Sequence, residues 1–333
     1  MRITEIRAAT ILNRGSHADG GWFWMKYSAH PYAGCSYGCT YCIWREPELA
    51  FKTDGASFSR AITVKINAAE LLDKELAEVP PDIIHTTDYQ PIEARYRLSR
   101  KMLEVCLKHR FPVIIVAKSP LVLRDMDIIK KISDQTWACV AFSINNAISA
   151  NYREYFEPNA SSIESRFLAM QKMANEGIYT GTALLPVLPG VTDIDDNLKA
   201  IVEQTKAGGG KFVLAGGLVL GKKSKEAFFE SLQKYNPVLI NKYRQLYHNS
   251  HSPTDSSWAA IGNKVKQLCI KSGLGYRIKR YIADNELAEN RRLAEELYMK
   301  AYELELECGD EAETRLLREQ AGAIDGLQTA TTR

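Results

Sequence analysis

Three of the chain's seven cysteines fall in the stretch GCSYGCTYC, at Cys35, Cys39 and Cys42. Clustered thiolates are soft metal ligands, and the spacing CxxxCxxC restricts what they can hold. Structural zinc sites close with four protein ligands. His30, the nearest candidate for a fourth, precedes Pro31 and the cysteines, and no second CxxC or HxxxH follows downstream. A redox CxxC leaves the third cysteine unexplained, and a ferredoxin-type cluster takes four thiolates. The remaining option is a [4Fe–4S] cluster on three cysteines with one iron left open. Gly34 and Gly38 would let the backbone approach such a cluster closely.

The elements that must position this loop form a pattern. Between about residues 60 and 220, short β-rich runs alternate with amphipathic helical runs, the mark of βα units on a parallel sheet. Strands are expected at Ile83–His85, Val113–Val116, Cys139–Ser143, Tyr179–Leu185 and Phe212–Ala215, with a first strand near Trp24–Tyr27. Most are near-continuously apolar, as strands covered on both faces should be. Asn67, Ser161 and either Asp193 or Asp195 read as helix starts, and Gly177 as a C-cap. Beyond Gly221 the β pattern stops, and residues 226–247, 256–272 and 284–320 read as helices. The expected architecture is α/β: a partial (β/α)6 TIM-type barrel over 25–220. An N-terminal cap over 1–24, a helical C-terminal region over 221–320 and a disordered tail over 321–333 complete it. Polar residues gather where strands end, at His85 to Asp88, Lys118-Ser119 and Ser143 to Asn145. In parallel α/β folds that is the ligand-binding face.

Bulk composition excludes other classes. The 333 residues are 45% hydrophobic and 25% charged, with a net charge of +3. No apolar run approaches the roughly 20 residues that cross a bilayer, and no secretory leader is legible, so the chain reads as cytoplasmic. The other four cysteines, Cys106, Cys139, Cys269 and Cys308, are scattered, unlike a disulfide framework.

CxxxCxxC after a first strand, with βα units following, resembles the radical S-adenosylmethionine (SAM) superfamily. A narrower resemblance rests on HPYAGCSYGCTYC, TTDYQPIEARYRLSRKMLEV, PVIIVAKSPLVLRDMDII, FEPNASSIESRF, LLPVLPGVTD and YRIKRYIADNELAENRR. These segments are similar to the family related to spore photoproduct lyase. The resemblance implies that Cys35, Cys39 and Cys42 carry the cluster, whose open iron binds the methionine part of SAM. It implies that Tyr41 lies near the adenine, that Thr87 and Asp88 hold the methionine part, that Lys118 pairs with its carboxylate and that Ser143 lies near the ribose. An external one-electron donor, of flavodoxin or ferredoxin type, is implied as partner. The substrate is left open, with nucleic acid among those the family admits. Two positions depart from the lyase. Thr86 stands where the lyase has a hydrogen-donating cysteine, and Ile43 where it has a tyrosine. Repair of a thymine photoproduct by the lyase's route is therefore not expected.

Other residues have two readings each. Glu157-Pro158 is either at the cavity mouth or in a loop-to-helix turn. Arg124-Asp125, Asp193 and Asp196 read as surface or capping groups, and His85 as lumenal or simply buried. Two basic runs, Lys222, Lys223 and Lys225, and Arg277, Lys279 and Arg280 between Tyr276 and Tyr281, have the composition of a single-strand-binding surface. An internal ion-pair network or a solvated face is the favoured reading of both.

Overall fold

The computed structural model describes residues 1–15, 23–46, 58–86, 88–248, 250–252, 255–327 and 329, with backbone alone at 255–257. The strands are β1 (Arg2–Ile6), β2 (Asn13–Arg14), β3 (Tyr27–Ala29), β4 (Tyr32–Ala33), β5 (Ala61–Lys65), β6 (Ile84–Thr86), β7 (Val113–Ala117), β8 (Ala138–Ser143), β9 (Tyr179–Val187) and β10 (Val213–Gly217). The helices are α1 (Ala68–Leu76), α2 (Glu93–Tyr96), α3 (Leu98–Lys108), α4 (Met126–Gln135), α5 (Tyr152–Phe156), α6 (Ile163–Asn175), α7 (Asp195–Ala207), α8 (Lys222–Tyr235), α9 (Leu239–Leu246), α10 (Asp255–Ser272), α11 (Ala288–Leu306) and α12 (Glu311–Asp325).

The main sheet has the order β10-β9-β8-β7-β6-β3-β2. Its six strands from β3 to β10 are parallel, and β2 adds an antiparallel edge. This is the partial (β/α)6 barrel that the sequence pattern predicts. Strand alternation sorts its side chains. Val113, Ile115, Ala117, Val140 and Phe142 face the covering helices. Ile83, Ile114, Cys139, Ala141, Ala183 and Leu214 face the lumen and close its lower part.

The first strand begins three residues later than expected. Trp24 has a positive φ of 56°, and its indole donates to the carbonyl of Ile278 at 2.7 Å. It therefore belongs to a plug with Ile278, Ala294, Tyr298 and Ala321 at the amino end of the strands. A small sheet, β1-β5-β4, flanks the cysteine loop.

The C-terminal helices do three jobs. Helices α8 and α9 pack beside the cysteine loop through Phe228, Leu232, Ile240 and Tyr243. Helix α10 brings Val265 and Cys269 against the layer containing Val213 and Ala215 of β10. Helices α11 and α12 supply the plug. The helix expected over 226–247 is broken at Asn236-Pro237, because proline offers no amide hydrogen. That over 284–320 breaks where Cys308 turns to a φ of 53° before Gly309. Helix α12 runs on to Asp325, past the expected start of a tail at 321; Ala321 is buried and Asp325 pairs with Arg280. Among the described residues no helix is long and apolar enough to cross a membrane.

Asn67 stands at the N-cap position of α1 as expected, but its side chain makes no cap bond; its amide bridges the Ala8 backbone in both directions, at 2.9 and 3.0 Å. Two other helix starts differ. Ser162, not Ser161, caps α6 by accepting from Ser165 N. Asp193 accepts from Gly190 N at 2.6 Å, and Asp195 pairs with Lys264, so neither caps α7. Gly177, with a φ of +75°, does terminate α6 as expected.

Candidate active site

The cysteine loop follows β4 directly and is held from several sides. Gly34 has a φ of +81° and lies so close to β5 that a Cβ there would meet Ala61 O at 2.4 Å. Gln90, from the loop after β6, donates to Gly34 O at 3.0 Å and accepts from Ser36 N at 3.0 Å. The Tyr37 hydroxyl donates to Tyr89 O at 2.6 Å. Arg45 turns back over the loop to donate to Cys39 O at 2.9 Å and Gly38 O at 2.8 Å. Glu46 accepts from Lys223 N and Ser224 N at the start of α8. A buried network of Glu93, Arg124 and Asp125, reached also by Arg100, sits beneath Tyr89, whose hydroxyl donates to Asp125 at 3.1 Å. Arg124-Asp125 is thus internal structure beneath the site rather than a surface pair.

Cys39 is buried, while Cys35 and Cys42 are partly exposed, and all three are free thiols. Burial pushes each thiol up: Cys35 well above its ordinary value, Cys39 to about 12, and Cys42 upward to a lesser extent. Each must therefore shed a proton on binding iron. Among the described residues no three His, Cys, Asp or Glu side chains are close enough to share one metal ion. A tetrahedral zinc would draw thiolates to within about 3.8 Å of one another, given Zn–S bonds of about 2.3 Å. A cubane offers each thiolate its own iron at a separate corner, without that crowding. The spacing, the soft donor set and the two positive-φ glycines, Gly34 and Gly38, fit a cluster better than a single ion.

Three residues singled out in separate sequence segments meet at one ammonium. Lys118, one residue beyond β7, donates to Ser143 Oγ at 2.6 Å and to the Tyr41 hydroxyl at 3.0 Å. It also pairs with Glu157 Oε1 at 3.0 Å. Tyr41 donates to the same Glu157 oxygen and accepts from Asn145 Nδ2. Arg166 reaches the other oxygen at 2.6 Å and donates to the carbonyls of Ser143 and Ser161. Burial works against charge on Glu157, yet Lys118, Arg166 and the Tyr41 hydrogen bond outweigh it and hold the carboxyl at about 2.

Asp88 stands on the other side of the loop, 3.4 Å from His30 Nδ1. Thr87 lies outside the described residues. His85 does face the lumen: its ring stacks on Phe23 and meets His30 edge-on, with centroids 5.0 Å apart. Burial, reinforced by His30, drops its pKa to about 3, so it is neutral at ordinary pH. Thr86 points the other way, its hydroxyl donating to Ala29 O at 3.0 Å.

The basic runs are not one continuous surface. Arg277 and Arg280 are buried, Arg277 over the Tyr302 ring at 4.1 Å and Arg280 paired with Asp325. The amides of Lys223 and Ser224 meet Glu46, and Lys225 bonds to Tyr247 O.

Gln90, Arg45 and Arg166 were not singled out in the sequence, and Asn145 was marked only as one of the polar residues at a strand end. Arg166 left a signal: it shares the buried stripe of α6 with Ala169, Met170 and Met173, spaced three, four and seven residues on. Gln90 in a loop and Arg45 in a single 3-10 turn belong to no long amphipathic element, so no periodicity marks them.

The structure is a six-stranded partial barrel with a three-cysteine loop at the carboxyl ends of its strands. Comparison with solved structures agrees at the level of fold. A cysteine-to-alanine variant of spore photoproduct lyase with a dinucleoside spore photoproduct superposes with a TM-score of 0.56 and 14% identity, over 82% of this chain and 80% of that one. Among curated proteins, an uncharacterized protein of Mycobacterium tuberculosis is 28% identical over 274 residues, 80% of each chain. A radical SAM Nalpha-GlyT isomerase of Pseudomonas phage M6 is 22% identical over 224 residues, 65% of this chain and 45% of that protein. No protein-family model matches the chain.

Proposed function

We propose that the protein is a radical SAM enzyme. In this reading Cys35, Cys39 and Cys42 hold a [4Fe–4S] cluster with one iron open, and Tyr41, Thr87, Asp88, Lys118 and Ser143 bind SAM beside it. The observation that carries the reading is the convergence of Lys118, Tyr41 and Ser143 on one ammonium next to the cysteine loop. Bound there, cluster and SAM would supply one-electron cleavage of the sulfonium, giving a 5′-deoxyadenosyl radical that takes hydrogen from the substrate.

The chain's own groups bind and orient. Lys118 offers a cation to the ligand's carboxylate and Ser143 a hydroxyl nearby, while Tyr41, whose hydroxyl is taken up by Glu157, Lys118 and Asn145, offers its ring. Asp88, 34% exposed at its side chain, is available to the ligand's ammonium. The apolar packing of Leu188, Leu218 and Phe228 against Tyr41 and Cys39 keeps water from that side of the loop. The electron comes from an external donor of flavodoxin or ferredoxin type.

Lesion repair or base modification on nucleic acid is the second reading. The lyase's fold favours it, but the Thr86 hydroxyl is committed to Ala29 O and Ile43 replaces a tyrosine. DNA binding that falls steeply with salt would support it, and no binding at low salt would remove it. A non-catalytic iron–sulfur protein is the third reading, and it predicts an intact cluster without turnover. The deciding test is anaerobic reconstitution, reduction with dithionite, addition of SAM and assay for 5′-deoxyadenosine. Product from the wild type and none from Cys39→Ala is expected. An intact wild-type cluster that yields no product would remove the proposal.

A further inference from the structure

Glu157 has no role in the reading above, yet it is a fully enclosed charged group beside the site. Its side chain is 0% exposed, as is that of Arg166, while Lys118 is 16% exposed. Three elements meet on this one carboxylate. Tyr41 comes from the cysteine loop, Lys118 from the end of β7, and Arg166 from α6. Arg166 in turn holds Ser143 O at 2.9 Å and Ser161 O at 2.8 Å, and the Ser161 hydroxyl donates at 2.5 Å to the carbonyl of Lys118 itself. The carboxylate therefore fixes the ammonium of Lys118 while the serine fixes its backbone.

The charges do not cancel. Among the three side chains whose ion pairs meet here, two cations, Lys118 and Arg166, share one anion, which leaves one positive charge unmatched within the trio. Arg166 is fully enclosed, which leaves Lys118 as the only route by which that charge can reach a ligand. An unmatched buried cation is costly unless an anion completes it, and a carboxylate arriving at Lys118 would do so.

We propose that Glu157 is a positioning residue of the SAM site, fixing Lys118 and Tyr41 so that the surplus charge faces the ligand's carboxylate. This rests on the functional reading above. The role is not catalytic, since Glu157 acts through Lys118 and touches no reacting atom.

The test measures anaerobic binding of two uncleavable probes to reconstituted enzyme. S-adenosylhomocysteine carries the amino-acid carboxylate, and 5′-methylthioadenosine lacks it. Glu157→Gln should weaken S-adenosylhomocysteine by about tenfold or more, as expected for a misplaced charge-assisted contact. The same variant should change methylthioadenosine by less than about twofold, because that probe never meets Lys118. Glu157→Asp should recover part of the loss. Lys118→Gln should reproduce it, and adding Glu157→Gln to Lys118→Gln should cost little more, since both remove one contact. Equal weakening of both probes, weakening of neither, or full additivity in the double variant would overturn the proposal. Should Glu157→Gln not fold, Glu157→Asp and its double with Lys118→Gln give the same comparison. A wild type with an intact cluster that binds methylthioadenosine but not S-adenosylhomocysteine would refute this inference alone. One that binds neither would refute the functional reading as well.

Discussion

Gly34→Ala tests how tightly the cysteine loop is set against β5, and Gly177→Ala provides its control. Both glycines have nearly the same backbone, with φ of +81° and +75°. An L-residue in the left-handed region costs about 1–2 kcal/mol, so both variants incur that term. They differ in what the new methyl meets. At Gly177 nothing lies within 4 Å, whereas at Gly34 it would sit 2.4 Å from Ala61 O and 3.0 Å from Phe58 O. Both are backbone atoms, and Phe58 O already accepts from Cys35 N at 3.0 Å. Relief requires the loop to shift and that bond to lengthen, adding about 1–3 kcal/mol of overpacking. The totals are about 1–2 kcal/mol for Gly177→Ala and about 2–5 kcal/mol for Gly34→Ala. At about 2.1 cal/mol/K per residue, each kcal/mol lowers the Tm by roughly 1.4 °C in a chain this long. Thermal melts of the apoproteins, with iron per chain after reconstitution, give the comparison. Gly34→Ala should melt about 3–7 °C below wild type and bind clearly less iron. Gly177→Ala should melt about 1–3 °C lower with full iron. Equal melting and equal iron in the two variants would refute the reasoning.

Further expectations follow from the same contacts. Gln90→Ala removes a two-ended bridge to Gly34 and Ser36; it should lower stability by about 1–3 kcal/mol and reduce cluster loading, read from iron content and visible absorbance. Asp325→Ala strands Arg280 in the plug at the far end of the barrel. It should cost about 3–5 kcal/mol in denaturant melts while leaving SAM cleavage per loaded cluster unchanged. His85 is held neutral, its pKa depressed to about 3 by burial, against about 6.5 unfolded. Its contribution is therefore complete above pH 6.5 and is lost as pH falls toward 3. His85→Phe should flatten the decline of Tm across that window; an unchanged slope would place the ring in water.

The barrel was legible because its signal is long and periodic. Strands β6 to β10 begin within a residue of their expected positions, since near-continuous apolar runs between capped helices have few alternatives. Trp24 misled for the same reason, being an apolar residue before a strand whose burial comes from the plug. The helix breaks at Pro237 and Cys308-Gly309 carry local signals that the long amphipathic pattern overrode. In the candidate site, spacing and resemblance marked Cys35, Cys39, Cys42, Tyr41, Lys118 and Ser143, and the fold brings Tyr41 and Ser143 into hydrogen-bond reach of Lys118. The tertiary partners were not legible. Glu157 had two readings because a loop carboxylate looks the same whether it faces solvent or two cations. Gln90 and Arg45 act on backbone atoms, which no side-chain pattern encodes. The tyrosine-flanked run at Arg277 and Arg280 had the composition of a binding surface, and only the closing of α11 and α12 over it makes it interior.

The central claim is that an iron beside Cys35, Cys39 and Cys42 is open to SAM. Electron paramagnetic resonance of the dithionite-reduced, reconstituted protein, recorded with and without SAM, tests it most directly. A cluster signal that shifts on adding SAM, and is absent from Cys39→Ala, is the predicted result. A full wild-type cluster signal left unchanged by saturating SAM would contradict the account.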